Sequence, residues 1–150
     1  MRVLIYSKDY DKVKESGVGK AIDHQKKALR KVGFDFTTDE KEDYELVHIN
    51  TVLPGAVAFA KKARKKGKKV IYHGHSTMED FRNSFVFSNQ VAPLFKKWLV
   101  HAYKLGDIVL TPSEYSKKIL ETYGINREIC VISNGIDLDF WKEKDGDRDK

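Results

Sequence analysis

The chain has 150 residues, 41% hydrophobic and 33% charged, which suits one globular domain with a real core and excludes a disordered chain. Its net charge of +6 and pI near 9.2 favour an anionic partner: a phosphate-bearing substrate, a lipid surface or nucleic acid. A single cysteine, Cys130, excludes an internal disulfide and a four-cysteine zinc site, and no apolar run reaches the ~18 residues of a membrane-spanning helix.

Val3 to Tyr6 is a short apolar run of the kind found in strands buried on both faces. The charge that follows so soon after Met1 does not suit a secretory signal, so the sequence reads as cytoplasmic. A polar loop from Ser7 to Ser16 leads to Gly17-Val18-Gly19. Ala21, Ile22, Ala28, Leu29 and Val32 then give a helical stripe that Gly33 closes. Phe34 to Thr38 and Glu45 to Asn50 read as strands. The acidic link between them is too short for a parallel crossover between neighbours, so they should flank the first strand on opposite sides.

Pro54 opens the next helix, whose inner face is Ala56, Val57, Phe59, Ala60 and Ala63. The basic run from Lys61 to Lys66 falls at its C-terminal end, where cations suit the helix dipole, and Gly67 ends it. Lys69 to Tyr72 is the central strand. Val91, Leu94, Phe95, Trp98, Leu99 and Ala102 form the strongest helical stripe and are expected to face the sheet, with Gly106 as terminator. Asp107 to Leu110 is a strand, and Ser113 caps a helix with Ile119, Leu120 and Tyr123 inward. The last strand is Ile129 to Ile132, with Cys130 as a buried thiol. Strands alternating with glycine-ended helices give an α/β fold, a doubly wound parallel sheet. Residues 1–141 form this domain, and 142–150 are a charged tail or the start of a linker.

Polar, titratable side chains just beyond a strand's C-terminal end are candidates for chemistry in such a sheet. His73 and His75, separated by Gly74, occupy that position after the central strand. No third ligand stands out, so no metal is expected. His48 reads as a core histidine, and His24 and His101 as surface residues. Gly17-Val18-Gly19 precedes a helix N-terminus, where a backbone can approach a phosphate. Ile22 stands at the third glycine position of a dinucleotide fingerprint, and no Gly-Lys-Ser/Thr is present, so neither nucleotide motif is met. Phe81, Arg82, Phe85, Lys96, Lys97 and Trp98 combine aromatic and basic groups suited to a lipid acceptor or an anionic membrane surface, and His73 is placed on the acceptor side with them.

Gly17-Val18-Gly19, His73-Gly74-His75, Thr111-Pro112-Ser113-Glu114 and Ser133-Asn134-Gly135-Ile136-Asp137 together resemble glycosyltransferase family 4. The run from His75 to Phe85 resembles its branch acting on diacylglycerol or related lipids. The resemblance implies the N-terminal, acceptor-side domain of a GT-B fold in a retaining enzyme that uses a nucleotide-sugar and neither a metal nor another cofactor. It implies donor-diphosphate contact at Gly17, Val18 and Gly19. It also implies a sugar-contacting histidine at His75, with His73 second, and a linker turn at Asn134, Gly135 and Asp137. The family's donor-binding domain lies beyond these residues, so the chain alone is not expected to transfer sugar. The alternative is a non-catalytic Rossmann-like module that binds a membrane surface or a phosphate ligand. Nucleic-acid binding rests on charge alone and is not expected.

Overall fold

A computed structural model of the chain describes residues 1–82 and 87–135. Its strands are β1 (Val3–Ile5), β2 (Phe36–Thr37), β3 (Leu46–Ile49), β4 (Lys69–His73), β5 (Ile108–Thr111) and β6 (Glu128–Val131). Its helices are α1 (Tyr10–Val13), α2 (Gly17–Lys31), α3 (Pro54–Lys65), α4 (Met78–Phe81), α5 (Ser88–Tyr103) and α6 (Glu114–Glu121). The sheet is parallel throughout, in the order β2-β1-β3-β4-β5-β6. The Rossmann-like α/β fold is therefore as the sequence implies, with β2 and β3 on opposite sides of β1. Strand order reverses between β1 and β3, and that switch point is where open α/β sheets bind ligands.

Alternation along the strands sorts the core into two faces. Leu4, Val47, Ile49, Val70, Tyr72 and Val109 belong to the large cluster that also takes in Val57 of α3 and Leu99 of α5. Val3 and Ile5 pack instead with Ile22 of α2. On that smaller face, β3 and β4 also present His48 and His73. Gly67 caps α3 at φ 72°, a left-handed conformation that a side chain would strain. Gly106 is there for space: a Cβ would stand 2.7 Å from the Ile108 carbonyl oxygen.

Several local expectations need correction. The loop from Ser7 to Ser16 contains α1. Gly17-Val18-Gly19 is the first turn of α2 rather than a loop before it, because Ser16 takes the N-cap position and its Oγ accepts from Gly19 N at 3.4 Å. In α2, Ala28 and Val32 are exposed. The α5 stripe does not all face the sheet: Val91 is 41% and Leu94 70% exposed, whereas Ala92, Leu99, Ala102 and Tyr103 are buried. Cys130 is only half-buried, since β6 is the edge strand.

Candidate functional site

Beyond the C-terminal ends of β3 and β4 lies a cleft of ≈ 150 Å³, lined by Val13, Val18, Asn50, Thr51, Val52, Leu53, His73, His75, Ser76 and Tyr103. Its walls are held by buried phenols and an indole. Tyr72 Oη donates to the Thr51 carbonyl and Trp98 Nε1 to the Val52 carbonyl, each at 2.7 Å. Tyr103 Oη donates to the Ser76 carbonyl at 2.7 Å, and Thr111 Oγ1 donates to the Gly74 carbonyl at 3.3 Å. The two strand-end segments are thus fixed from below by side chains rooted in the core. Burial pushes the phenols of Tyr72 and Tyr103 well above their ordinary range, so they act as neutral donors.

The N-terminus of α2 opens on the same cleft through Val18. The first amides of a helix have no intrahelical acceptor, and Ser16 Oγ serves Gly19 N, which leaves those of Gly17 and Val18 available. The two glycines differ in role. A Cβ on Gly19 would lie 2.4 Å from the Val13 carbonyl oxygen and 2.5 Å from Lys14 Cα, so glycine there lets the end of α1 pack across α2. At Gly17 a Cβ meets nothing within 4 Å.

His48, His73 and His75 stack in a row. Ring centroids are 5.4 Å apart for His48–His73 and 4.1 Å for His73–His75. His48 Nε2 lies 3.3 Å from His73 Nδ1, and His75 Nε2 lies 3.0 Å from Asn50 Oδ1. Burial lowers His48 and His75 to about 4, with the neighbouring His75 adding to the shift of His48. Burial, then His75 and His48, takes His73 to about 2. The row is therefore neutral at pH 7, and each ring offers one donor and one acceptor. His73 Nε2 is buried and has no hydrogen-bond partner among the described residues. No group of three histidine, cysteine or acidic side chains among those residues is arranged to hold a metal ion.

His73 and His75 thus come together with the α2 N-terminus, but His73 is only 3% exposed and reaches no outer surface. The other expected acceptor and membrane residues are divided. Phe81, Lys97 and Trp98 line a shallow, largely apolar groove of ≈ 710 Å³ with Val91, Leu94, Phe95 and His101. Lys96 turns aside, its Nζ 4.5 Å from the Tyr123 ring centroid. Arg82 is exposed at the end of α4. Trp98 joins groove to cleft, because its ring lines the groove while its Nε1 holds Val52 of the cleft wall. Asn134 offers its carbonyl to His24 Nδ1 at 3.1 Å, which ties the segment after β6 to α2, and Gly135 follows at φ 75°. Phe85 and Asp137 lie outside the described residues.

Sequence reasoning missed Gln25 and Asn50, whose side chains pair inside the site (2.8 and 2.9 Å), and the tether made by His24. One signal was available for Gln25. It stands three residues after Ile22 and four before Leu29, so it is a polar residue on the apolar stripe of α2.

The family model described as Glycosyltransferase Family 4 matches residues 25–140. Gln25, Asn50, His73 and His75 fall within that match, and Gly17 to Gly19 precede it. The chain is also 44% identical, over 147 residues, to the processive diacylglycerol alpha-glucosyltransferase of Acholeplasma laidlawii. That alignment covers 96% of this chain and 42% of the relative, so the chain spans less than half of the relative's length.

Proposed function

The chain belongs to glycosyltransferase family 4, and from that premise we propose that it is the acceptor-side half of a retaining enzyme that moves a sugar from a nucleotide-sugar donor to a membrane lipid such as diacylglycerol. The observation that carries this reading is the cleft at the sheet's switch point, whose lining brings the neutral His73 and His75 together with Val18 of the α2 N-terminus. Amides and dipole there suit the departing diphosphate, with Gly17 and Val18 as the contacts. Gly19 contributes by shaping the turn. His75 holds a sugar hydroxyl as charge develops. The donor-binding groups come from a further domain, as the GT-B resemblance implies, and transfer requires both. No metal or other cofactor takes part in this reading.

The groove beside α5 supports a lipid acceptor. Exposed Leu94 and Val91 lie next to Phe81, Phe95 and Trp98, with Lys97 at the rim. An apolar floor with cationic edges suits acyl chains and anionic headgroups. The association proposed is peripheral, at the cytoplasmic face; no helix among the described residues is long and apolar enough to cross a membrane. Asn134 and Gly135, tied to α2 through His24, stand in this reading where the chain heads toward the donor-binding domain.

The test is product identification. The full-length protein is incubated with a panel of nucleotide-sugars and anionic vesicles containing diacylglycerol, and the extracted lipids are weighed by mass spectrometry. A hexosylated diacylglycerol is the expected product. Release of free sugar or nucleotide with no glycolipid would overturn the lipid acceptor. Absence of both turnover and nucleotide-sugar binding would favour a non-catalytic membrane-binding module.

A further inference from the structure

The side chains of Gln25 and Asn50 form a closed amide pair. Gln25 Nε2 donates to Asn50 Oδ1 at 2.8 Å, and Asn50 Nδ2 donates back to Gln25 Oε1 at 2.9 Å. Turning either amide alone would set donor against donor and acceptor against acceptor, so the two can turn only together. Asn50 is 3% exposed, so little of its amide is open to solvent.

The pair acts outward on the histidines. Asn50 Oδ1 lies 3.0 Å from His75 Nε2, and a carbonyl oxygen only accepts, so His75 carries its proton on Nε2. Gln25 Nε2 also lies 3.2 Å from His73 Nδ1, which His48 Nε2 approaches at 3.3 Å; with the amide donating, the His73 proton sits on Nε2. In this orientation both hydrogens of the Gln25 amide and both lone pairs of Asn50 Oδ1 are used. The tautomer of a histidine is set by the bond its other nitrogen makes. His75 Nδ1 then remains as a lone pair, with no partner among the described residues.

We infer that Gln25 and Asn50 are positioning residues that hold His75 as its Nε2–H tautomer, leaving Nδ1 as the acceptor for a substrate hydroxyl. The second half of this statement rests on the proposed role of His75 against the sugar. The first half concerns the protein alone.

The test is two-bond proton–nitrogen NMR of the full-length protein labelled with ¹⁵N-histidine, with His75 assigned by its loss in His75→Gln. At pH 7 the wild type should show a protonated Nε2 and an unprotonated Nδ1 on His75. Asn50→Ala should shift the tautomer ratio toward Nδ1–H by about fivefold, the value of one ordinary hydrogen bond. Asn50→Asp should keep the Nε2–H form, because a carboxylate accepts the same bond, and raise the pH at which His75 protonates. Should Asn50→Ala fail to fold, Gln25→Ala, at a half-buried position, carries the same readout. An Nδ1–H His75 in the wild type, or an unchanged ratio in a folded Asn50→Ala or Gln25→Ala protein, overturns the inference. These spectra need no turnover, so a protein with the expected tautomer and no sugar transfer refutes the functional reading and not this one.

Discussion

Replacing Gly19 by alanine should damage the fold, whereas the same change at Gly17 should not. The new methyl at Gly19 would sit 2.4 Å from the Val13 carbonyl oxygen, 2.5 Å from Lys14 Cα and 2.7 Å from the Lys14 carbonyl oxygen. All of these are backbone atoms and none can rotate away, so the end of α1 must lift from α2. Overpacking of this kind costs about 1–3 kcal/mol. Alanine returns up to about 1 kcal/mol through its better helix propensity. Taking about 2 kcal/mol for the overpacking and about 0.5 kcal/mol for the propensity gain, the net loss is about 1.5 kcal/mol, or roughly 3–6 °C in Tm for a domain of this size. Gly17→Ala meets nothing within 4 Å and should stay within about 0.5 kcal/mol of wild type. Urea denaturation of both variants measures the difference. A Gly19→Ala protein as stable as wild type would refute the packing role of Gly19. A stable Gly17→Ala protein that binds nucleoside diphosphate more weakly would isolate the phosphate contact at the open position.

Stability should fall as the pH drops below about 6.5, the ordinary histidine value. His48 and His75 are held near 4 and His73 near 2, so between these values and 6.5 the unfolded chain binds more protons than the fold. Each histidine then contributes a slope of up to about 1.4 kcal/mol per pH unit, which vanishes above pH 7. Denaturation midpoints across pH 4–8 check this, and a midpoint that is flat from pH 7 to pH 5 would contradict the buried neutral row. At the groove, Leu94→Asp changes a residue that is 70% exposed, so the fold should be unaffected while binding to anionic vesicles is lost. Lys97→Ala should weaken the same binding about fivefold at low salt and hardly at all at high salt. Co-sedimentation equal to wild type for Leu94→Asp would remove the groove from the membrane contact.

Much of the architecture was readable because apolar runs, glycine stops and link lengths act locally. The short acidic link after Thr37 forced β2 and β3 apart, and the sheet order follows from that constraint. His73 and His75 stood out because polar residues at a strand end have few structural reasons to be there. What was not readable was the direction of helix faces near the site. The α5 stripe is wide enough to serve both sheet and groove, and periodicity cannot say which edge of a stripe is left uncovered, so in sequence Val91 and Leu94 read as inward-facing. Gln25 is illegible in sequence for the converse reason. A polar residue on an inner face is satisfied only by partners distant in sequence, here Asn50 and His73. The two glycines of α2 look alike in sequence. Only the path of α1 separates the one that needs space from the one that leaves it.

The most direct test of the central claim, that the histidine-lined cleft is where sugar transfer takes place, is the rate of glycolipid formation by the full-length protein with His75→Ala. Wild-type and variant proteins would be compared on diacylglycerol-containing anionic vesicles with a saturating nucleotide-sugar. The cleft reading predicts a folded variant that still sediments with vesicles and has lost about 10²-fold or more of its rate, the scale of one contact made to developing charge. A His75→Ala protein that forms glycolipid at the wild-type rate would contradict it.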